Sequence, residues 1–285
     1  MANIRQIRRR IRSVQSTAKI TKAMQMIAAS KMRRAQQLTL AGRPYAEKLQ
    51  GVLADLAAQP MEAGDVHPLL QKREVSHTSV VHITPDRGLC GGLNANMNRT
   101  TGQFILGQQN PVSIIAVGRK GRDFMVRYDR DVRAVFIDMG DRPGLADALP
   151  IAYQIIDDYT SGQTDRVMIA YSQFVNTAVQ RPVMQQLLPV EPASLEVGQA
   201  VGYIYEPRSI EVLAALLPRF VEMQIYHAVL ENIASEQSAR MVAMRNATDS
   251  ANDMIDSLTL MMNKVRQEAI TKELLDIVGG VAALE

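Results

Sequence analysis

Two heptad seams, one near each end of this 285-residue chain, limit its fold more than any other feature. Small or apolar side chains recur at alternating spacings of three and four in Ile4, Ile7, Ile11, Val14, Ala18 and Thr21, then a polar Gln25, then Ala28, Met32 and Ala35. The same rhythm returns in Met241, Met244, Thr248, Ala251, Ile255, Leu258, Met262, Val265 and Ala269. A 3.5-residue period keeps one stripe against a partner helix and imposes a left-handed supercoil. Two such stripes in one chain are most economically satisfied by an antiparallel coiled coil of the termini, with a globular excursion between them. The predicted helices run from residue 2 or 3 to about 57, and from 218 to about 278, roughly 80 and 90 Å at 1.5 Å per residue. Gly42 and Pro44 are expected to interrupt the first, since proline kinks or ends a helix. Pro218 is expected in the first turn of the second, where its missing N–H costs nothing.

Between the seams, short β-branched runs at 79–84, 113–117, 132–137 and 166–171 alternate with helical stretches at 94–109, 119–128 and 144–160. That alternation predicts an open, largely parallel α/β sheet of Rossmann-like kind, with helices on both faces. A proline at each end of 182–189 marks an edge strand. The predicted domains are an N-terminal coiled-coil helix (1–58), a linker (59–74) marked by Pro60, Gly64 and Pro68, a central α/β domain (75–195), and a C-terminal coiled-coil helix (206–285).

Charge is distributed unevenly. Residues 1–46 carry eleven Lys or Arg and no carboxylate, whereas 206–285 carries twelve acidic and seven basic side chains. Opposite signs favour pairing of the two helices, though exposed ion pairs contribute only about 0–1 kcal/mol each. The basic helix lacks interleaved aromatics and any reader module, which argues against nucleic acid and favours an acidic protein surface. Apolar runs fall well short of the roughly 18 residues that span a bilayer. The sixteen methionines suit helix packing and surfaces that adapt to a neighbour.

Chemistry-bearing motifs are few. The run from Asp86 to Asn94 (DRGLCGGLN) follows a strand and precedes a helix, as a phosphate-cradling loop would. It lacks the Gly-Lys-Ser/Thr of a P-loop and the G-x-G-x-x-G of a dinucleotide fold, so a tight β-to-α turn is the better reading. Cys90 is the chain's one cysteine, without an evident base, and His67, His77, His82 and His227 show no ligand or triad spacing. No catalytic residue, cofactor or metal is expected. Beyond Ala269 the seam positions become Lys272 and Asp276 while apolar residues spread around the helix. The last dozen residues should therefore overhang the first helix by about 18 Å as an apolar tip that needs another partner.

Four stretches carry a family resemblance: IRRRIRSVQSTAKITKAMQMIAASKMRRAQ, DRGLCGGLN, ASEQSARMVAMRNATDSANDMI and RQEAITKELLDIVGG. In this order, and across essentially the whole chain, they resemble the gamma subunit of the F-type rotary ATP synthase. Val281 and Ser250 depart from the usual Ala and Asn of that pattern, at tip and exterior positions. The resemblance implies a central rotor stalk, one copy per complex, coupling proton-driven rotation of the membrane c-ring to the beta-subunit sites that make ATP. It implies partners in alpha, beta, epsilon and the c-ring, and no nucleotide chemistry in this chain. Lys22 and Met24 would lie near beta loops, and Arg266, Gln267, Thr271 and Glu273 would meet the beta catch region. Tyr203, Tyr205 and Glu206 would lie near epsilon and the ring, and Leu274, Ile277, Val278 and Val281 would sit in an apolar bearing. The implied location is peripheral, on the cytoplasmic face of a bacterial plasma membrane. Two other classes fit parts of the sequence: a non-rotary coiled-coil scaffold, and an α/β nucleotide-binding protein with a helical appendage.

Overall fold

The computed structural model describes residues 4–57, 67–191, 206 and 208–282. It divides into two units, one made of residues up to Ala28 with those from Met241 onward, the other running from Ala29 to Arg240. The fold class follows the sequence: long terminal helices, and a central open α/β sheet.

Helix α1 spans Ile4–Ala57 and passes through Pro44 without a break. The last helix, α5, spans Ser209–Ala282, about 110 Å, so Pro218 lies inside it and not in its first turn. Both corrections have one physical reason. An in-helix proline orphans the carbonyl four residues earlier, and Leu40 and Ala214, which carry those carbonyls, are exposed to water that can take the missing bond.

In the first unit the two helices run antiparallel, with the Thr21 and Thr248 hydroxyls 2.7 Å apart in the buried seam. That pair sets the register, placing Ala18 opposite Ala251, Ile11 opposite Leu258 and Ile4 opposite Val265. Ile7, Ile11, Ala18, Thr21 and Ala28 are buried on one side, and Met244, Thr248 and Ala251 on the other. Pairing ends at Val265; from Arg266 to Val278 every side chain is exposed, Ala269 included. The overhang past Ile4 is therefore about 25 Å, longer than the sequence suggested.

The second unit holds a five-stranded sheet of order β3-β2-β1-β4-β5. Its strands are β1 (Thr78–Ile83), β2 (Val112–Val117), β3 (Asp131–Phe136), β4 (Arg166–Phe174) and β5 (Gln180–Leu188). The first four are mutually parallel and β5 pairs antiparallel with β4 at the edge. Pro182 lies in β5, where the outer side needs no ladder donor. Helices α2 (Leu93–Leu106) and α3 (Arg119–Arg127) cover one face, burying Met97, Ile105 and Met125 against Val80, Ile114 and Ala116. On the other face, α4 (Leu145–Thr160), the end of α1 and the start of α5 pack on Val81, Ile83, Ile115, Val117 and Ile169. Both faces being covered explains the near-continuous apolar runs of the strands. Each fully buried Val, Leu or Ile stabilises the fold by about 1.5–3 kcal/mol. Of the stretch expected as a linker, residues 59–66 lie outside the described residues; Pro68–Leu70 forms a 3-10 turn with Leu69 buried.

Candidate functional site

Open parallel sheets bind ligands at the carboxyl ends of the strands, in the crevice where strand order reverses. Here that crest is filled. Val229, Asn232, Ile233 and Glu236 of α5 sit over Ile83, Thr84, Val117 and Phe136, leaving a cavity of about 40 Å³. A nucleotide needs several hundred cubic ångströms. The N-terminus of α3, the natural anion seat, is also satisfied from within. Asp86 accepts from Arg119 N–H at 2.9 Å, the Pro85 carbonyl from Lys120 N–H at 3.1 Å, and Thr84 Oγ1 from Gly121 N–H at 2.8 Å. The Asp86 carboxylate thus occupies the place a phosphate would take. Two glycines permit this close approach: a Cβ on Gly118, which has φ +97°, would lie 1.9 Å from Thr84 O, and one on Gly121 would lie 2.6 Å from the His82 ring.

The glycine loop at 86–94 is a tight turn with Leu89 and Gly91 at positive φ. Cys90 is buried against Leu93 and Ala239, and Asn94 donates to its sulfur at 3.3 Å. Burial pushes the Cys90 thiol up, with the Arg240 guanidinium opposing, so the reactive thiolate is disfavoured. The four histidines are scattered. His82 is enclosed between Asn98 and Thr101, its pKa lowered to about 4 by burial. His67 accepts from Leu69 N–H, His77 meets Ser113, and His227 lies 3.9 Å from Glu231.

Lys22 is exposed and Met24 half-buried on α1. Lys22 lines a shallow groove of the helical pair with Gln15, Lys19, Asp249 and Asn252. Around it Ile20, Met26 and Ile27 stand outside the seam, 55–60% exposed. Arg266, Gln267, Thr271 and Glu273 are exposed together on the overhang of α5, interleaved with Ile270, Leu274, Leu275, Ile277 and Val278 at 51–66% exposure. Glu206 is exposed; Tyr203, Tyr205 and the Val281 side chain lie outside the described residues. The structure thus gathers the residues of the overhang on one helical segment and places Lys22 and Met24 on another stretch of the same helical pair.

Sequence reasoning missed a second group: Glu231, Asn232, Ser235, Ser238 and Arg240 of α5, which bond to the main chain of the α/β unit. Burial raises the Glu236 carboxyl, opposed by Arg240 at 2.7 Å. The signal available was small serines at 235 and 238 where a helix packed on a sheet would ordinarily carry apolar residues.

Comparison with known proteins places these features. The ATP synthase family profile matches residues 3–284. An ATP synthase gamma chain from Dehalococcoides mccartyi is 64% identical over the full length of both chains. One from Herpetosiphon aurantiacus is 48% identical over all of this chain and 99% of its own. A chain in the central stalk and c-ring structure of Tetrahymena thermophila mitochondrial ATP synthase superimposes with TM-score 0.62 at 26% identity, covering 80% of this chain and 99% of that one. A rotor chain of the Euglena gracilis mitochondrial enzyme shares the fold, with TM-score 0.65 at 20% identity over 94% and 98%. By sequence along its whole length, with the fold in agreement, this chain belongs to the ATP synthase gamma chain family.

Proposed function

We propose that the chain is the central rotor stalk of a bacterial F-type ATP synthase, coupling proton-driven turning of the c-ring to conformational change at the beta-subunit sites. The observation that carries this reading is the overhang of α5, where Ile270, Leu274, Leu275, Ile277 and Val278 project from an unpaired helix. Helical residues apolar on several sides need an enclosing partner, and a sleeve of alternating alpha and beta subunits supplies one. A smooth apolar bearing also suits turning, since dispersion and hydrophobic contacts have no fixed direction to break. Of the segments 1–58 and 206–285, the paired parts up to Ala28 and from Met241 onward serve as the shaft; their remaining parts join 75–195, past the linker 59–74, as the foot facing epsilon and the c-ring.

Lys22 and Met24 then meet beta loops, and Arg266, Gln267, Thr271 and Glu273 the beta catch region; Tyr203, Tyr205 and Glu206 lie toward epsilon and the ring. The basic start of α1 fits acidic beta loops. The filled crest fits a subunit that carries force and leaves nucleotide chemistry to others. No described helix is long and apolar enough to cross a membrane; in the proposed assembly the c-ring holds the chain at the cytoplasmic face of the membrane. The test is a visible bead on Lys120→Cys, in a Cys90→Ser background, with immobilised alpha and beta. ATP should turn the bead in one direction; a stationary bead during ATP hydrolysis would refute the rotor role.

A further inference from the structure

α5 meets the α/β unit with two different surfaces. From Leu213 to Ala228 its buried positions are apolar (Leu213, Leu217, Val221, Ile225, Ala228), apart from Glu222, which pairs with Arg219. Over the next three turns polar side chains join the buried surface: Asn232, Ser235, Gln237, Ser238 and Arg240 are each at least nine-tenths covered, among the equally buried Val229, Leu230, Ile233, Ala234 and Ala239. Buried polar groups are unfavourable unless bonded, and most of these are bonded to main chain. Glu231 accepts from Phe174 N–H at 2.8 Å and Asn232 from Ser172 N–H at 3.4 Å. Ser235 donates to Ser172 O at 2.8 Å, Ser238 to Thr177 O at 2.8 Å, and Arg240 to Gly88 O at 3.1 Å.

The placement explains why these partners are available. Ala170 is the last residue of β4 that β1 pairs with. Beyond it no strand among the described residues flanks β4 on that side, and α5 side chains take the main-chain groups of Ser172 and Phe174. The bonds reach three separate segments: β4, the β4–β5 turn and the glycine loop. Apolar contact is non-directional and lets a helix roll about its axis. Hydrogen bonds weaken steeply when misaligned, and bonds to three fixed segments define one rotational setting.

We propose that the face of α5 from Glu231 to Arg240 is a torsional key, which seats the helix against rolling so that a turning force on the α/β unit enters α5 without slip. This rests on the rotor reading above and adds positioning residues to it. The bonded face ends at Arg240, the last residue of the α/β unit, and α5 runs on unbroken to Ala282. Force entering through the key therefore passes into a continuous helix.

The test is the triple variant Asn232→Ala, Ser235→Ala, Ser238→Ala in the assembled complex, reconstituted in sealed vesicles. With an uncoupler the rotor carries no load, and ATP hydrolysis should stay within about 2-fold of wild type. Against a proton gradient, the steady gradient reached should fall roughly 3-fold or more, since three directional contacts are lost. Oxidation of a Ser172→Cys, Ser235→Cys pair, in a Cys90→Ser background carrying Asn232→Ala and Ser238→Ala, should restore the gradient, and reductant should remove it again. A wild-type gradient in the triple variant overturns the proposal. Equal losses with and without load also overturn it, because they indicate general damage. Should the triple variant fail to assemble, Ser235→Ala and Ser238→Ala singly carry the same comparison with smaller losses, and unchanged gradients in both overturn it. Failure of the rotor reading itself is separable: the bead on the wild-type chain would not turn.

Discussion

In the α/β unit, β1 and β2 are covered on both faces and Val80, Val81, Ile114 and Ile115 have no exposure at all, whereas in the helical pair the seam is one stripe wide and Ile20, Met26 and Ile27 stand outside it. The α/β unit bonds its buried His82 to both Asn98 and Thr101. Both units also keep buried oxygens without a partner, Gln25 in the helical pair and Ser79, Asn94 and Ser172 among those of the α/β unit. The α/β unit has chosen one set of neighbours from within its own sequence. The helical pair buries one stripe for itself, and on the rotor reading proposed above its apolar exterior serves other chains.

The sharpest way to break the α/β unit is at its tightest approach. Gly118→Ala forces a side chain to φ +97° and 1.9 Å from the Thr84 carbonyl oxygen. The expected cost is about 2–5 kcal/mol, from left-handed backbone strain and overpacking together. Urea unfolding of the lone chain measures it, and a loss under 1 kcal/mol would show that the β1–α3 contact is slack.

Acid probes the same region more gently. His82, with a folded pKa lowered to about 4 against an ordinary 6.5, stays neutral in the fold while the unfolded chain takes up a proton. Stability is therefore complete above pH 6.5 and declines as pH falls toward 4, by about 3 kcal/mol in all. The difference between the stability-versus-pH curves of the wild type and His82→Gln isolates this share; parallel curves would mean that His82 does not supply it.

Effects in the helical pair should be smaller. Thr248→Val removes one hydroxyl of the Thr21–Thr248 bond, at a cost of about 0.5–1.5 kcal/mol. Adding Thr21→Val should cost little more, because no hydroxyl is then left facing an apolar neighbour. Additive losses in the double-mutant cycle would show that the two hydroxyls act independently and do not set the register.

The smallest effect on the lone chain should come from the overhang. Leu274→Ser with Ile277→Ser should change its unfolding free energy by no more than about 0.5 kcal/mol, while assembly or coupling in the complex falls clearly. A large loss in the lone chain would mean that the overhang packs on its own fold, and the contrast between the units would fail there.

Where the sequence could be read, it was read through periodicity. The 3-4 spacing marked the seams because each position depends on a neighbour one helical turn away. The β-branched runs marked the strands because both faces of the sheet are buried. Proline misled at 44 and 218, since its local signal does not reveal that Leu40 and Ala214 face water. The polar key was invisible for a deeper reason. Glu231, Asn232 and Ser235 on a helix look like a solvated face until β4, some sixty residues earlier, brings its main chain to them. Lys22 and Met24 lie on the helical pair, and the beta loops proposed as their neighbours are not part of this sequence.

The overhang of α5 has a consequence for the life of the protein in the cell. A copy synthesised without its partners carries a bare, oily helix end with lysine and arginine side chains open to any protease: Arg266 and Lys272 lie among the exposed apolar residues. In the assembly proposed above the same stretch is enclosed. On that reading the surface that assembly consumes would mark surplus copies for removal, so that supply could be trimmed to demand without a separate tag. Trypsin digestion of the lone chain should accordingly cut first at these two sites and spare the α/β unit.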